Sequence, residues 1–160
     1  MNMAVLCVGK LRERFYRQAA DEYLKRLRRF GACEEIEVPD LPEPSAPLPA
    51  QEAEVRRKEG ERLLAALRPS DHVMVLCIDG TQRSSEAFAA RLAELRARGN
   101  VKRLVWIIGG SLGLSAAVVS RANERISLSA MTLPHQLARV VLFEQLYRAC
   151  KITANERYHK

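Results

Sequence analysis

The sequence predicts one α/β domain, a mostly parallel sheet flanked by helices, and three observations point there. Short apolar or alternating runs occur at residues 5–8, 35–38, 73–78 and 104–108, each bounded by turn residues or a charged stretch. Longer stretches with helical spacing separate them, so strand and helix alternate, and connections of that length suit parallel strands. The chain has 160 residues, 48% of them hydrophobic and 28% charged. That fits a single domain over 1–160 whose core needs no covalent staple.

Taken in order, the run at 3–8 is too short and too weakly flanked for a signal peptide and reads as the first strand. Residues 14–30 follow as a helix with Phe15, Ala19, Tyr23, Leu27 and Phe30 on one face and Arg14, Arg17, Lys25 and Arg28 opposite. The first face is expected to pack against the core, and stacking of its aromatics on bases is the weaker reading. Five of the seven prolines lie between 39 and 49, which predicts an extended surface loop. A helix over 51–67 ends before Pro69, and another over 85–98 has Ser84 as its cap and Gly99 at its exit. The last helix, 136–149, carries Leu137, Val140, Val141, Leu142, Phe143, Leu146 and Tyr147, leaving no wide polar face. It must be nearly surrounded by protein, either its own or a second subunit.

The formal charge of +7 comes from 26 basic and 19 acidic residues. The excess is concentrated at 10–29, 91–103 and 139–160 and reverses over 34–61. A separated basic surface suits a polyanion, since each neutralised phosphate releases counterions, although a solvated charged face is the plain alternative. Cys7, Cys33, Cys77 and Cys150 are far apart, with no paired spacing for zinc or a disulfide. No metal is expected. No apolar stretch nears the ~20 residues of a membrane span. A cytoplasmic protein with no membrane partner is expected.

Three stretches are candidates for chemistry. Residues 105–114 read V-W-I-I-G-G-S-L-G-L, a strand running into three glycines, and the loop at a strand's carboxyl end is a favoured ligand position. The spacing matches neither the dinucleotide nor the Walker fingerprint, and read alone it is a turn. Residues 75–80, V-L-C-I-D-G, form a second such junction, where Asp79 is expected to cap or bond the backbone of a βα turn. Residues 128–135, L-S-A-M-T-L-P-H, lead small and apolar residues into a proline suited to a helix's first turn. His72 and His135 read as structural. Glu144 and Arg148 have the spacing of an i,i+4 pair. The chain ends in Tyr158, His159 and Lys160.

Together, V-W-I-I-G-G-S-L-G-L-S, I-S-L-S-A-M-T-L-P-H-Q-L-A-R-V-V-L-F-E-Q-L-Y-R-A and the closing Y-H-K resemble the bacterial RlmH family of 23S ribosomal RNA pseudouridine N3-methyltransferases, within the SPOUT class. A-V-L-C-V-G-K near the start and K-E-G at 58–60 extend the likeness over the whole chain. The resemblance, not the periodicity, implies a deep trefoil knot near the carboxyl terminus and S-adenosyl-L-methionine as methyl donor. It implies cofactor contacts at Leu76, Gly109, Gly110, Leu128, Ser129, Ala130, Met131, Thr132 and Leu133. It further implies a homodimer acting on a pseudouridine in the helix 69 loop of 23S ribosomal RNA, within the assembled ribosome. Arg139, Tyr158 and His159 become candidate catalytic residues: the tail pair positions or deprotonates the base and Arg139 steers the RNA or orients the uracil carbonyls. Where the family commonly has proline before Y-H, this chain has Arg157. Another RNA methyltransferase of the same class and a non-catalytic RNA-binding module are the competing readings.

Overall fold

The computed structural model describes residues 2–42, 45, 46 and 48–158. In chain order the elements are β1 (Asn2–Val8), α1 (Arg14–Leu27) with a 3-10 turn (Arg28–Phe30), β2 (Cys33–Val38), α2 (Pro49–Ala65), β3 (His72–Gln82), α3 (Ser85–Ala97), β4 (Arg103–Ile108), α4 (Ala116–Arg121), β5 (Glu124–Ser127) and α5 (His135–Thr153). The strands form one sheet in the order β2-β1-β4-β3-β5, and every neighbouring pair is parallel. The sheet is therefore wholly parallel, where the sequence predicts a mostly parallel one.

Both faces of the sheet are covered, which is why its central strands read as continuous apolar runs. Met3, Val5 and Cys7 of β1, with Met74, Trp106 and Ile108, face a core closed by α1, α3 and α5. Ala4, Leu6 and Val8, with Val73, Val75, Val105 and Ile107, face the opposite way, against Leu63 of α2 and Val118 of α4. Burial pushes the Cys7 and Cys33 thiols up to about 12, so neither is thiolate at neutral pH.

The expected helices are present with adjusted limits. α2 starts at Pro49, at the first helical position, where its missing N–H costs nothing. Ser84 caps α3 by accepting the Ala87 N–H at 3.2 Å, and Phe88, Ala89, Leu92 and Leu95 are buried. The packing face of α1 is rotated from the expected one: Ala20 and Leu27 are buried with Tyr16, Tyr23 and Leu24 against the core, whereas Phe15 is 61% exposed. No residue of α5 from 135 to 152 is exposed, even in the single chain.

Two elements lie outside the sequence expectation. Strand β5 reads E-R-I-S, with only Ile126 buried, so it carries little hydrophobic signal. Charge pins it instead: the Glu124 carboxylate accepts from Arg91 at 2.8 Å, His72 at 3.0 Å and Arg83 at 3.1 Å. Helix α4 has six residues, capped by Ser115, and follows the glycine loop too closely to show a period. The second departure is at residues 76–80, where no βα turn forms and β3 continues. Both Leu76 and Thr81 pair with Ile126, so the residues between them bulge from the ladder. Gly80 permits this, because a Cβ there would lie 2.3 Å from the Ile126 carbonyl carbon. Asp79, expected to cap or bond the backbone of a turn, has a bond to its own backbone and also forms an ion pair with Arg125.

Candidate functional site

The middle of β3 and the carboxyl ends of β4 and β5 converge on one cavity of about 550 Å³, within the range of about 300–1,000 Å³ typical of small-molecule sites. Three segments wall it: 76–78 from the bulge of β3, 108–114 after β4, and 126–135 leading from β5 into α5, with Ala138 closing one side. These are the three stretches singled out in the sequence. Asp, Glu, Lys and Arg are all absent from the described walls. Burying a charge there would be costly, so the walls suit an uncharged, largely apolar group.

The glycine loop is folded tightly against itself. The Gly113 N–H donates to the Gly110 carbonyl at 3.0 Å, and Gly113 has φ +82°, a left-handed conformation that glycine adopts without strain. A Cβ on Gly109 would lie 2.9 Å from the Gly113 carbonyl carbon. Opposite, the Ser127 hydroxyl donates to the Ser129 carbonyl at 2.8 Å, and the Met131 N–H donates to the Ser129 hydroxyl at 3.0 Å. These local bonds shape the 127–134 connection. Met131 is 78% exposed and Ile78 72% exposed, and both line the cavity.

Of the cofactor contacts implied by the resemblance, Leu76, Gly109, Gly110, Leu128, Ser129, Met131, Thr132 and Leu133 all line this cavity, while Ala130 is exposed and is not one of its wall residues. Cys77, Ile78 and Leu114, inside the singled-out stretches, and Ile126 are wall residues beyond the implied cofactor contacts. Each is an unremarkable apolar residue in sequence, and only the folding of β5 beside β3 brings them together.

The two described candidate catalytic residues, Arg139 and Tyr158, are not among the wall residues of this cavity. Arg139 has an exposure of 0%. Its guanidinium donates to Glu37 at 2.7 Å, Glu35 at 3.0 Å and the Gly9 carbonyl at 2.9 Å. It ties α5 to β2 and to the end of β1. Tyr158 packs edge-on against Tyr147, with centroids 4.9 Å apart, beneath Arg148 at 4.8 Å. Its hydroxyl donates to Glu144 at 3.2 Å. Burial, with Tyr23 and Glu144 nearby, pushes the phenol up to about 12. Glu144 also binds Arg148 at 2.5 Å, the pair expected from spacing. His159 and Lys160 lie outside the described residues.

A second cavity of about 500 Å³ abuts the first and shares Gly110, Ser111 and His135 with it. Its walls are charged where the first has none, and include Lys10, Arg12, Asp40 and Glu59. Glu59 is only 4% exposed and accepts the Leu41 N–H at 3.0 Å. The K-E-G motif contains this residue, but nothing in its spacing marks a buried carboxylate beside a loop fifty residues away. Among the described residues no group of three His, Cys, Asp or Glu side chains could hold a metal ion, and no helix is long and apolar enough to cross a membrane.

A wholly parallel sheet with an apolar cavity at its carboxyl ends, bounded by a glycine loop and a folded-back connection, places the chain in a known class. The chain belongs to the SPOUT methyltransferase family: the family model described as "Predicted SPOUT methyltransferase" matches residues 1–159. Within that class its sequence is 50% identical to the "Ribosomal RNA large subunit methyltransferase H" of Bifidobacterium animalis subsp. lactis. It is 49% identical to the protein so named in Listeria monocytogenes and 48% identical to that in Exiguobacterium sibiricum, each match covering 100% of both chains. Among solved structures it is similar in fold to a probable methylase family protein from Haemophilus influenzae, with TM-score 0.53 and 12% identity over 99% of this chain and 70% of that one. A tRNA (m1G37) methyltransferase from Aquifex aeolicus gives 0.50 and 13% over 92% and 70%.

Proposed function

We propose that this protein transfers the methyl group of S-adenosyl-L-methionine to N3 of a pseudouridine in the helix 69 loop of 23S ribosomal RNA, in the assembled ribosome. It does so as a cytoplasmic homodimer whose cofactor site is enclosed by a trefoil knot. The observation that carries this is the meeting of all three motif segments around one apolar cavity, in a chain half identical to proteins named as ribosomal RNA methyltransferases.

The residues present fit the cofactor. Leu76, Leu114, Ile126 and Leu133 offer apolar cover for an adenine ring, and the backbone of 109–110 and 128–133 offers donors and acceptors for its edge. The loop crowds its own backbone at Gly109, where a Cβ would lie 2.9 Å from the Gly113 carbonyl carbon, so the wall there is main chain. When bound, S-adenosylmethionine supplies a methyl group already activated by its sulfonium, and the chain's task is placement of the acceptor base. The bulge of β3 against Ile126 and the return of 127–134 to the sheet support the knot.

Removing the N3 proton falls to the tail. Tyr158, with its phenol held near 12, stays protonated at neutral pH and serves to position the base or the tail. His159 is the better base by its ordinary pKa of about 6.5. In one chain Tyr158 docks beside Glu144 and Arg148, six and ten residues along α5 from the cavity wall at Ala138, or roughly 9–15 Å at 1.5 Å per residue. A tail contributed by a second copy closes that gap, which supports the homodimer. Arg139 supports the site from within by fixing the start of α5. Replacing His159 by Ala is expected to lower the single-turnover rate about 10²-fold with cofactor and RNA affinity retained, and an unchanged rate would remove its role as base.

The assignment as a whole is tested by incubating the protein with labelled S-adenosylmethionine and either assembled ribosomes or naked 23S RNA, then mapping the label by mass spectrometry. Label in helix 69 at N3, on ribosomes, is expected. Label at another base, or none, overturns the reading.

A further inference from the structure

S-adenosylmethionine is not uniformly apolar: one end is an amino acid, carrying an ammonium and a carboxylate. The walls of the 550 Å³ cavity include no Asp, Glu, Lys or Arg, so inside it that zwitterionic end would meet hydroxyls and backbone groups but no side chain of opposite charge. The second cavity begins where the first ends, at Gly110 and His135, and presents charges of both signs.

Its charged groups are not equivalent. Arg12 and Asp40 are both exposed and paired with each other at 2.9 Å, so they largely cancel at the rim. Lys10 forms no ion pair among the described residues, while the segment carrying it is held in place by two bonds from α5. Arg139 grips the Gly9 carbonyl at 2.9 Å, and Gln136 accepts the Arg12 N–H at 3.0 Å. Glu59 is buried, so its carboxylate faces a low-dielectric surrounding in which a cationic group is strongly favoured. A Cβ on Gly110 would come within 3.1 Å of Glu59 Oε2 and 3.2 Å of Val8 Cγ1, so the missing side chain lets the glycine loop lie close to that carboxylate, at a residue that lines both cavities.

We propose that the second cavity receives the amino-acid end of the methyl donor, with Glu59 taking the α-ammonium and Lys10 the α-carboxylate. This rests on the cofactor reading above and adds to it a division of labour: the apolar cavity holds the nucleoside and the charged one holds the zwitterion. The acceptor base is then left to approach from the face where Met131 and Ile78 are exposed.

The test is calorimetry with two probes, S-adenosylhomocysteine, which keeps the amino-acid end, and 5′-methylthioadenosine, which lacks it. Lys10→Ala and Glu59→Gln are each expected to weaken S-adenosylhomocysteine about 10-fold, the scale of a lost hydrogen bond to a charged group, while 5′-methylthioadenosine is unaffected. Equal losses for both probes, or none for either, overturn the proposal, as does a Lys10→Ala loss confined to RNA binding, which would give the cavity to the acceptor. If the unaltered protein binds neither probe, the cofactor reading itself falls and this inference with it. Should Glu59→Gln fail to fold, the exposed Lys10 decides the matter alone.

Discussion

Tyr158 shows how far a single side chain's surroundings limit its chemistry. Its ring is stacked between Tyr147 and Arg148 and its hydroxyl is given to Glu144, while burial keeps the phenol up near 12. Tyr158→Phe retains the stacking and loses one hydrogen bond, so a stability loss of about 0.5–1.5 kcal/mol is expected in urea melts. The acidic limb of the pH–rate profile should not move, because a group protonated throughout the neutral range does not set it. A shift of that limb in the Phe variant would reassign the base. The residue's identity and place at the chain's end were plain from sequence, but its partners were not. Glu144 and Arg148 are ten and more residues away and meet it only because the chain reverses after α5.

Helix α5 joins the two halves of the site. Its first turn touches both cavities through His135, and one turn later Arg139 holds Glu35, Glu37 and the Gly9 carbonyl. Arg139→Met removes a buried cation from Glu35, which keeps Arg17 as a partner at 2.6 Å, and from the exposed Glu37, and is expected to cost about 1–3 kcal/mol. Adding Glu35→Gln and Glu37→Gln should recover much of it, and thermal melts of the single and triple variants check both. Elements were legible wherever burial is two-sided or a helix face is wide: β1, β4 and α5 announce themselves by composition alone. β5 did not, since E-R-I-S is anchored by ion pairs from His72, Arg83 and Arg91, partners that only the sheet order supplies. The direction of Arg139 was equally hidden, because a periodic pattern says that a face is buried without saying that an arginine within it will be paired.

At the scale of the molecule, many of the arginines are paired within the chain, which leaves the net charge of +7 unchanged but restricts which side chains carry it outward. Arg17, Arg26, Arg91, Arg98, Arg103 and Arg148 all meet carboxylates, so the expected basic face of α1 is reduced to side chains such as Arg14, Lys25 and Arg28. Two buried carboxylates connect this network to stability. For Asp71 and for Glu124, burial opposes ionisation, but hydrogen bonds from Arg103, and from Arg91 and His72, outweigh it and hold each below its ordinary value. A depressed folded value means stability that is present above the unfolded pKa of about 4 and lost as the pH falls through the folded one. The denaturant midpoint should therefore be level from pH 7 to 5 and drop below about pH 4, and Asp71→Asn should flatten part of that drop while lowering the plateau. An undiminished midpoint at pH 3 would contradict the assignment.

The contact between Gly80 and the Ile126 backbone also has a meaning in time. β5 can reach its place only alongside a segment of β3 that has already been pushed out of the ladder, and residues 81 and 76 must wait for the same Ile126 partner. Sheet closure thus follows the meeting of strands about fifty residues apart, after β1, β4 and the first half of β3 have assembled. Such late, non-local steps are slow. Refolding should show a fast phase that buries Trp106 and a slower one that alone restores cofactor binding, making the ligand site the last part of the molecule to mature.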